Sequence, residues 1–400
     1  MAALTLELAK NTPARAEGEC LKPFTQENIK KVRAFHKSMW GYYHPTPLVE
    51  LPGLATWLGV KNIYVKDEAA RFGLQSFKAL GASYAMGCYL AQKMGLPIER
   101  AGFDFLASEE VKSELGQLTF ATASTGNHGR GLAWMSRLLG FAAVVYMPQG
   151  SAPERVAAIK REGATVKITN VNYDETVKLL ARDAEANKWV LIQDTALPGY
   201  ADVPLWIMQG YTTMAAEALD ALPAVPTHVF VQAGVGSMAA AVQAAFATSG
   251  GQKALFTILE PATANCFYRS FISGTPCNVT GDLATIMSGL ACGECNPLAW
   301  TILKNYSSFC FSCKEEVAAL GMRLWGNPLT GDPKLVAGPA GAIGGGVLGL
   351  LEKFHNLKTD LGLNKDSVLL LFNTEGDILA DAYRDIVWGG SFPIDYRRKF

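Results

Sequence analysis

The 400-residue sequence has no net charge and no long apolar segment, and these absences exclude whole classes of function. Lysine and arginine number 36, as do aspartate and glutamate, so the chain lacks the basic excess of nucleic-acid-binding proteins. Apolar runs such as Val368–Phe372 are as long as a strand and too short to cross a bilayer. The first twenty residues lack the apolar core of a secretory signal. We therefore predict a cytoplasmic protein that binds neither nucleic acid nor membrane.

Cysteine is the residue type whose spacing suggests a metal. The eight cysteines do not form a secreted disulfide framework in a chain of this length. Two Cys-x-x-Cys pairs, Cys292/Cys295 and Cys310/Cys313, are spaced as in a zinc ribbon. The segment between them is typical of a helix that runs into an apolar strand, without the glycine-rich turns of a zinc site. We therefore predict no bound metal and interpret these cysteines as buried thiols.

Apolar strands alternate with helical patterns along most of the chain. Hydrophobic residues make up 49% of the sequence, and the length suggests two lobes. The strands are continuous apolar runs, which is typical of buried parallel strands. This predicts an α/β fold of open, mainly parallel sheets covered by helices. The predicted strands are 62–66, 119–123, 142–147, 165–168, 190–193, 227–232, 255–260 and 368–372, and the predicted helices are 77–94, 129–139, 153–162 with Ser151 as N-cap, and 173–186.

Four segments carry candidate chemistry, and the first contains Lys78. In Gln75–Gly81 (QSFKALG) this lysine begins an otherwise apolar helix. Partial burial there would lower the pKa of the amine and make it nucleophilic. On this segment alone, an ordinary surface lysine at a helix start is the commoner interpretation.

The next two segments are glycine-rich turns between a strand and a helix. In Ser124–Gly131 (STGNHGRG), the glycines allow close approach of a ligand, and Asn127 offers both a donor and an acceptor. His128 in the same turn is more often a structural histidine than a base. The turn in Gln232–Ala239 (QAGVGSMA) would hold a phosphate through backbone N–H groups at a helix N-terminus. Because the third glycine of a dinucleotide motif is missing, we expect a phosphate monoester.

The fourth segment follows the last predicted strand. Ligands of open α/β folds bind at the C-terminal ends of the strands, so Asn373 or Thr374 in Phe372–Asp377 (FNTEGD) would contact a ring nitrogen as a neutral partner. The competing interpretation is a polar turn that caps the next helix.

In this order, the four segments resemble the motifs of the tryptophan-synthase-β family, the fold-type II enzymes that use pyridoxal 5'-phosphate (PLP). SFKALG resembles the cofactor-lysine motif of serine/threonine dehydratases and cysteine synthases, STGNHGRG their asparagine loop and AGVGSMA their phosphate loop. The resemblance covers nearly the whole chain. It implies PLP as the cofactor, a Schiff base at Lys78, and two domains with the active site between them. We expect a large domain from 1–88 and 205–400 and a small domain from 89–204.

The resemblance also implies roles for single residues. Lys78 and Asp194 are the catalytic candidates, with Asp194 taking the proton from the L-substrate, although a structural aspartate at a strand end is the competing interpretation. Ser124, Thr125 and His128 are candidates for contacting the substrate. The candidates for binding the cofactor are Phe77, Lys78, Asn127, Gly234, Val235, Gly236, Ser237, Met238, Asn373 and Thr374.

Within this family the chain is most similar to the diaminopropionate ammonia-lyases. That similarity implies a homodimer that converts 2,3-diaminopropionate and water to pyruvate and ammonia. It rests on segments outside the four motifs, namely 65–68, 71–74, 146–148, 150–152, 190–200, 206–211 and 287–294.

Three departures from the pattern concern the substrate. Thr125 stands where members that process both enantiomers carry aspartate. A threonine hydroxyl is so weak an acid that it keeps its proton, and it therefore cannot replace aspartate as a base. We therefore expect a preference for the L-isomer. Gly338–Ala342 lacks the usual glutamate and serine and is nearer the dehydratase form. Asn373 replaces the serine of tryptophan-synthase relatives, and a neutral group there suits β-elimination.

Several alternatives stay open at this point. The substrate could be another β-amino-substituted alanine. The activity could be that of a serine/threonine dehydratase or of a β-replacement synthase. A PLP-fold protein without catalytic activity, which acts as a binding partner, is the alternative from a different class.

Overall fold

Strands and helices alternate along the chain, as the sequence predicts. The computed structural model describes residues 6–15, 18–195, 199–250 and 253–395, so part of the 190–200 segment lies outside the described residues. The strands are β1 (Leu6–Lys10), β2 (Leu48–Glu50), β3 (Asn62–Asp67), β4 (Thr119–Ala123), β5 (Ala142–Met147), β6 (Thr165–Ile168), β7 (Val190–Leu191), β8 (His228–Gln232), β9 (Leu255–Pro261), β10 (Phe309–Cys313) and β11 (Val368–Asn373).

The helices cover the sheets and vary from one to five turns. They are α1 (Gln26–Ser38), α2 (Pro52–Leu58), α3 (Lys78–Lys93), α4 (Phe103–Leu106), α5 (Glu109–Leu115), α6 (Asn127–Leu139), α7 (Pro153–Arg161), α8 (Tyr173–Asn187), α9 (Asp202–Ala221), α10 (Ser237–Thr248), α11 (Cys266–Ser273), α12 (Pro297–Tyr306), α13 (Glu315–Gly326), α14 (Pro339–Leu351), α15 (His355–Asp360) and α16 (Ala380–Val387).

The chain divides into two compact units, and the first is built on the larger sheet. Unit 1 comprises Met1–Leu21, Thr46–Ala70 and Met214–Phe400. Its described strands have the order β1-β10-β9-β8-β11-β3-β2. The five inner strands are parallel, whereas β1 and β2 pair antiparallel at the two edges. The inner strands β8, β10 and β11 are buried along their whole length, which explains their continuous apolar sequences.

Unit 2 is built on the smaller sheet and comprises Lys22–Pro45 and Arg71–Thr213. Its described strands are all parallel and have the order β6-β5-β4-β7. Helix α3 packs closely on α6, because a Cβ on Gly131 would lie only 2.9 Å from the Cα of Ala79. This contact places α3 in unit 2, whereas the sequence analysis assigned residues up to 88 to the large domain.

The α/β class with mainly parallel sheets is confirmed, and several local expectations need correction. Helix α6 begins at Asn127, two residues earlier than expected, and β7 is shorter than expected. Ser151 does not cap α7: the N-cap is Ala152, Pro153 begins the helix, and the Ser151 hydroxyl donates to Pro148 O at 2.7 Å. In the described part of the chain, no helix is long and apolar enough to cross a membrane.

The two Cys-x-x-Cys pairs differ in burial. Cys310 and Cys313 lie buried in β10, whereas Cys292 and Cys295 are half-buried in a loop, so the expectation of buried thiols is right only for the second pair. Among the described residues, no group of three or more His, Cys, Asp or Glu side chains is arranged to hold a metal ion.

Candidate active site

Lys78 is a half-buried residue that faces a carboxylate. It is the first residue of α3, and its Nζ lies 2.9 Å from Asp194 Oδ2. The same nitrogen lies 5.6 Å from the centre of the Phe77 ring and 5.8 Å from that of Tyr211. The lysine side chain is 19% exposed. The interpretation of Lys78 as an ordinary surface lysine, which the local sequence favoured, is therefore wrong.

Asp194 follows β7 and is buried beside this lysine. Burial by itself would raise the pKa of Asp194, but the positive charge of Lys78, with a further contribution from His128, outweighs it and lowers the pKa to about 2. Burial lowers the pKa of His128, so this histidine is neutral at pH 7. Lys78 is thus the main group that keeps the carboxylate ionised at neutral pH.

His128 offers an unused acceptor close to this pair. Its Nε2 donates to Ile192 O at 2.9 Å, which fixes the proton on that nitrogen. Its Nδ1 is buried, and within the described ranges it has no hydrogen-bond partner. The neutral imidazole therefore presents a lone pair that could accept a hydrogen bond from a ligand.

The asparagine loop lies at the N-terminus of α6. The Ser124 hydroxyl accepts from Gly126 N at 3.0 Å and from Gly129 N at 2.9 Å. These two bonds hold the turn that starts the helix at Asn127. Thr125 and Asn127 are half-buried there, at an end of the helix that favours anions such as a substrate carboxylate.

The predicted phosphate loop has the geometry of an anion site. Gly236 has a φ of 92° and is the N-cap of α10, and a Cβ on it would overlap the Phe267 ring. Asn296 stabilises the loop through two hydrogen bonds. Its backbone N–H donates to Val235 O at 2.9 Å, and its Nδ2 donates to Ser237 Oγ at 2.9 Å. Backbone N–H groups at the start of this helix fit a phosphate monoester, the group that PLP carries. Gly234 and Met238 flank the same turn.

The amide nitrogen of Asn373 is hydrogen-bonded within unit 1. This residue is the last of β11 and is fully buried. Its Nδ2 donates to Asp67 Oδ1 at 2.8 Å and to Val336 O at 3.0 Å, while a Cβ on Gly341 would overlap its Oδ1. Because its amide nitrogen is used inside unit 1, Asn373 fits a structural role better than contact with a ring nitrogen.

Thr374, the next residue, suits that contact. Its hydroxyl oxygen accepts from Gln232 Nε2 at 3.2 Å. The hydroxyl proton can therefore be donated to a neutral nitrogen acceptor. The competing interpretation, a turn that caps the next helix, does not hold, because α16 has Leu379 as N-cap and no side-chain cap bond. Glu375 Oε1 instead accepts from Ala340 N at 3.2 Å, at the start of the earlier helix α14.

Three residues near Lys78 and Asp194 escaped the sequence analysis. Tyr173 Oη lies 3.4 Å from Asp194 Oδ1, and Gln193 Nε2 lies 3.3 Å from the same oxygen. Tyr211 is fully buried next to the Lys78 amine, and burial raises the pKa of its hydroxyl well above the usual range. Gln193 and Tyr211 lie in the family-like segments 190–200 and 206–211, but those segments do not show which residue adjoins Asp194 or Lys78.

Comparison with known proteins identifies the family. A family model described as pyridoxal-phosphate dependent enzyme matches residues 39–373. The diaminopropionate ammonia-lyase of Escherichia coli (strain K12) is 47% identical over 386 residues, which cover 94% of this chain and 95% of that protein. The enzyme of the same name from Salmonella typhimurium is 45% identical over 371 residues, which cover 90% and 92%.

A solved structure agrees with these relatives. It is that of the Escherichia coli diaminopropionate ammonia-lyase in complex with an aminoacrylate-PLP azomethine reaction intermediate. It superposes with a TM-score of 0.90 at 45% identity and covers 98% of both chains. The resemblance predicted from the motifs is confirmed: the chain belongs to the pyridoxal-phosphate-dependent enzymes, in the family of the diaminopropionate ammonia-lyases.

Proposed function

We propose that this chain catalyses the PLP-dependent α,β-elimination of 2,3-diaminopropionate, with a preference for the L-isomer, or of a related β-amino-substituted alanine. The products are pyruvate and ammonia. The observation that carries the proposal is the Lys78–Asp194 pair, in which a buried, ionised carboxylate lies 2.9 Å from the amine of the cofactor lysine. A carboxylate in this position suits a substrate with a second ammonium group.

Different residues would bind different parts of the cofactor. Lys78 Nζ would hold it covalently, Gly234–Met238 would bind its phosphate, and Thr374 would donate to its ring nitrogen. Phe77 and Asn127 would contact the ring. When bound, PLP supplies the electron sink for the negative charge that develops at the substrate Cα.

Proton transfer is assigned to Asp194. While Lys78 is charged, the pKa of Asp194 is about 2, and so acidic a group is a weak base. Loss of the proton from Lys78 Nζ removes the charge that lowers this pKa, and burial then raises it. Oδ2 is thereby prepared to accept the Cα proton of the L-substrate. The same carboxylate attracts the β-ammonium, which leaves as neutral ammonia.

Substrate placement is assigned to the asparagine loop. Ser124, Thr125 and the N-terminus of α6 hold the substrate carboxylate, and His128 Nδ1 accepts a hydrogen bond from the substrate. A homodimer and a cytoplasmic location complete the proposal, and light scattering of the purified protein tests the first of these.

A substrate panel tests the activity. Ammonia and 2-oxo acid release are followed with L- and D-diaminopropionate, serine, threonine and N-substituted diaminopropionates. We expect the highest kcat/KM with L-diaminopropionate. Faster release of 2-oxobutyrate from threonine would instead make the protein a dehydratase. Formation of an S-substituted cysteine in the presence of a thiol, with the thiol replacing the β-amino group, would make it a β-replacement synthase.

A second measurement separates an enzyme from an inactive PLP-fold protein. The visible absorbance of lysine-bound PLP should be present in the wild type and lost in Lys78→Ala. Persistence of that absorbance in Lys78→Ala, or its absence from the wild type, would refute the assignment of Lys78.

A further inference from the structure

We propose that Gln193 is a positioning residue, whose fixed side-chain amide holds Asp194 Oδ1 so that Oδ2 stays directed at Lys78. The proposal rests on the proposed function, because it gives Gln193 a role in the proton transfer assigned to Asp194. Gln193 is fully buried in unit 2, and its neighbours in the chain do not suggest such a role.

The orientation of the Gln193 amide is determined by its partners. Its Oε1 accepts from the Thr122 hydroxyl at 2.9 Å and from the backbone N–H of Ala123 at 3.0 Å. A backbone N–H can only donate, so the atom that faces it must be the amide oxygen. The NH2 group therefore points the other way, towards Tyr173 Oη at 2.9 Å and Asp194 Oδ1 at 3.3 Å.

The backbone of Gln193 is held as well. Its N–H donates to the hydroxyl of Tyr200 at 2.8 Å, and that hydroxyl donates to Leu191 O at 2.9 Å. One tyrosine thus fixes the backbone on both sides of Ile192. Asp194 follows directly, so both the backbone and the side chain of Gln193 limit the movement of the carboxylate.

The two oxygens of Asp194 have different partners as a result. Oδ2 pairs with Lys78, whereas Oδ1 accepts from Gln193 and lies 3.4 Å from the Tyr173 hydroxyl. Because that hydroxyl accepts from Gln193, its own proton is directed towards Asp194. Oδ1 is thereby engaged by neutral donors, while Oδ2 faces the Lys78 amine.

The neutral amide matters because charge controls this carboxylate. Among the described residues, the titratable groups that face Asp194 include Lys78, His128, Tyr173, Tyr200 and Tyr211. A glutamate at 193 would place a second carboxylate next to Oδ1, and like charges at this distance raise the pKa of one member of the pair.

Two variants of similar size test the proposal in the PLP-bound enzyme. Gln193→Glu should move the acidic limb of the kcat/KM–pH profile upward by about one unit or more. Gln193→Met should leave that limb in place and lower kcat by about 10- to 100-fold with a smaller change in KM, the cost of losing a hydrogen bond to a charged group. Gln243→Met is the matched control, since Gln243 is also buried and accepts from Ser307 Oγ at 3.1 Å.

The outcomes separate a positioning role from a merely structural one. The proposal would be overturned if Gln193→Glu had the same pH profile as the wild type. It would also be overturned if Gln193→Met, at equal melting temperature, lost no more of its kcat than Gln243→Met does. If Gln193→Met fails to fold, the Gln193→Glu profile still decides.

A readout without turnover keeps this test separate from the proposed function. In Gln193→Glu the two neighbouring carboxylates bind a proton more tightly in the folded protein than in the unfolded one. The melting temperature of this variant, compared with that of the wild type, should therefore rise as the pH falls from 7 to 5. A constant difference would refute the coupling. Failure of the wild type to release pyruvate from diaminopropionate would refute the proposed function and leave this measurement standing.

Discussion

Gly236→Ala is the substitution for which the structure gives the clearest expected cost. Gly236 has a φ of 92°, and a Cβ there would overlap the ring of Phe267, which is fully buried. A left-handed conformation costs an alanine about 1–2 kcal/mol, and displacing a packed side chain costs about 1–3 kcal/mol. These two costs add up to about 2–5 kcal/mol. The loop can avoid them only by changing its backbone conformation, and it then no longer has the geometry that suits a phosphate.

The expected result is a loss of PLP affinity. Since each 1.4 kcal/mol corresponds to about tenfold in binding, the dissociation constant of PLP should rise at least about 30-fold. Gly250→Ala is the matched control, because Gly250 has a φ of 85° but no atom within 4 Å of its Cβ position. It should lose about 1–2 kcal/mol of folding stability and bind PLP as the wild type does.

The assay is titration of the PLP-depleted variants with PLP, followed by the quenching of protein fluorescence, beside a denaturant unfolding curve for each. Phe267→Leu in the Gly236→Ala background should restore part of the affinity, since it shortens the side chain that the new methyl group meets. Equal PLP affinity in Gly236→Ala and Gly250→Ala would refute the phosphate site at this loop.

Four further outcomes are expected. Asp194→Asn should lower kcat/KM for L-diaminopropionate by about 10²- to 10⁴-fold. Because the pKa of Asp194 is about 2 in the folded protein while Lys78 is charged and about 3.9 when unfolded, its charged form contributes about 2–3 kcal/mol of stability to the PLP-free protein above pH 4. That stability is lost as the pH falls towards 2, so unfolding curves of wild type and Asp194→Asn should differ at pH 7 and converge in acid. The wild type should process L-diaminopropionate faster than the D-isomer, and Thr125→Asp should reduce the difference between the two rates. Equal rates in the wild type would contradict the role of Thr125. Thr374→Val should weaken PLP binding by up to about tenfold while Thr374→Ser does not, measured by the same titration.

The inner strands could be predicted from the sequence because burial on both faces leaves continuous apolar runs, as in β8 and β11. The edge strands β1 and β2 were missed. Both are partly exposed and pair antiparallel, β1 with the distant β10, and β2 has only three residues, so neither leaves a continuous apolar run. The start of α7 at Pro153 was predicted correctly, but its N-cap was not: a serine before a helix is a common cap, whereas here Ala152 is the N-cap and Pro153 begins the helix directly after it.

The choice between Asn373 and Thr374 shows where sequence motifs reach their limit. Both residues are short, polar and adjacent, and the motif does not say which one faces the ligand. In the structure β11 continues through Asn373, which pairs in register with Asp67 and turns its amide to that neighbour. Because the Asn373 amide nitrogen is engaged there, we propose Thr374, which directly follows the strand, as the candidate for the ring nitrogen.

Asp194 illustrates the part of the site that no local pattern could supply. It lies 116 positions from Lys78 in the chain, and the family resemblance alone suggested that the two act together. The structure adds the dependence of one on the other: burial and the Lys78 charge act in opposite directions on the Asp194 carboxylate, and the charge prevails. The basicity of Asp194 therefore depends on whether Lys78 carries its proton. A base that is weak while the lysine is charged and stronger once it is neutral abstracts a proton only after the amine has reacted, and this would protect the site from unproductive proton transfer.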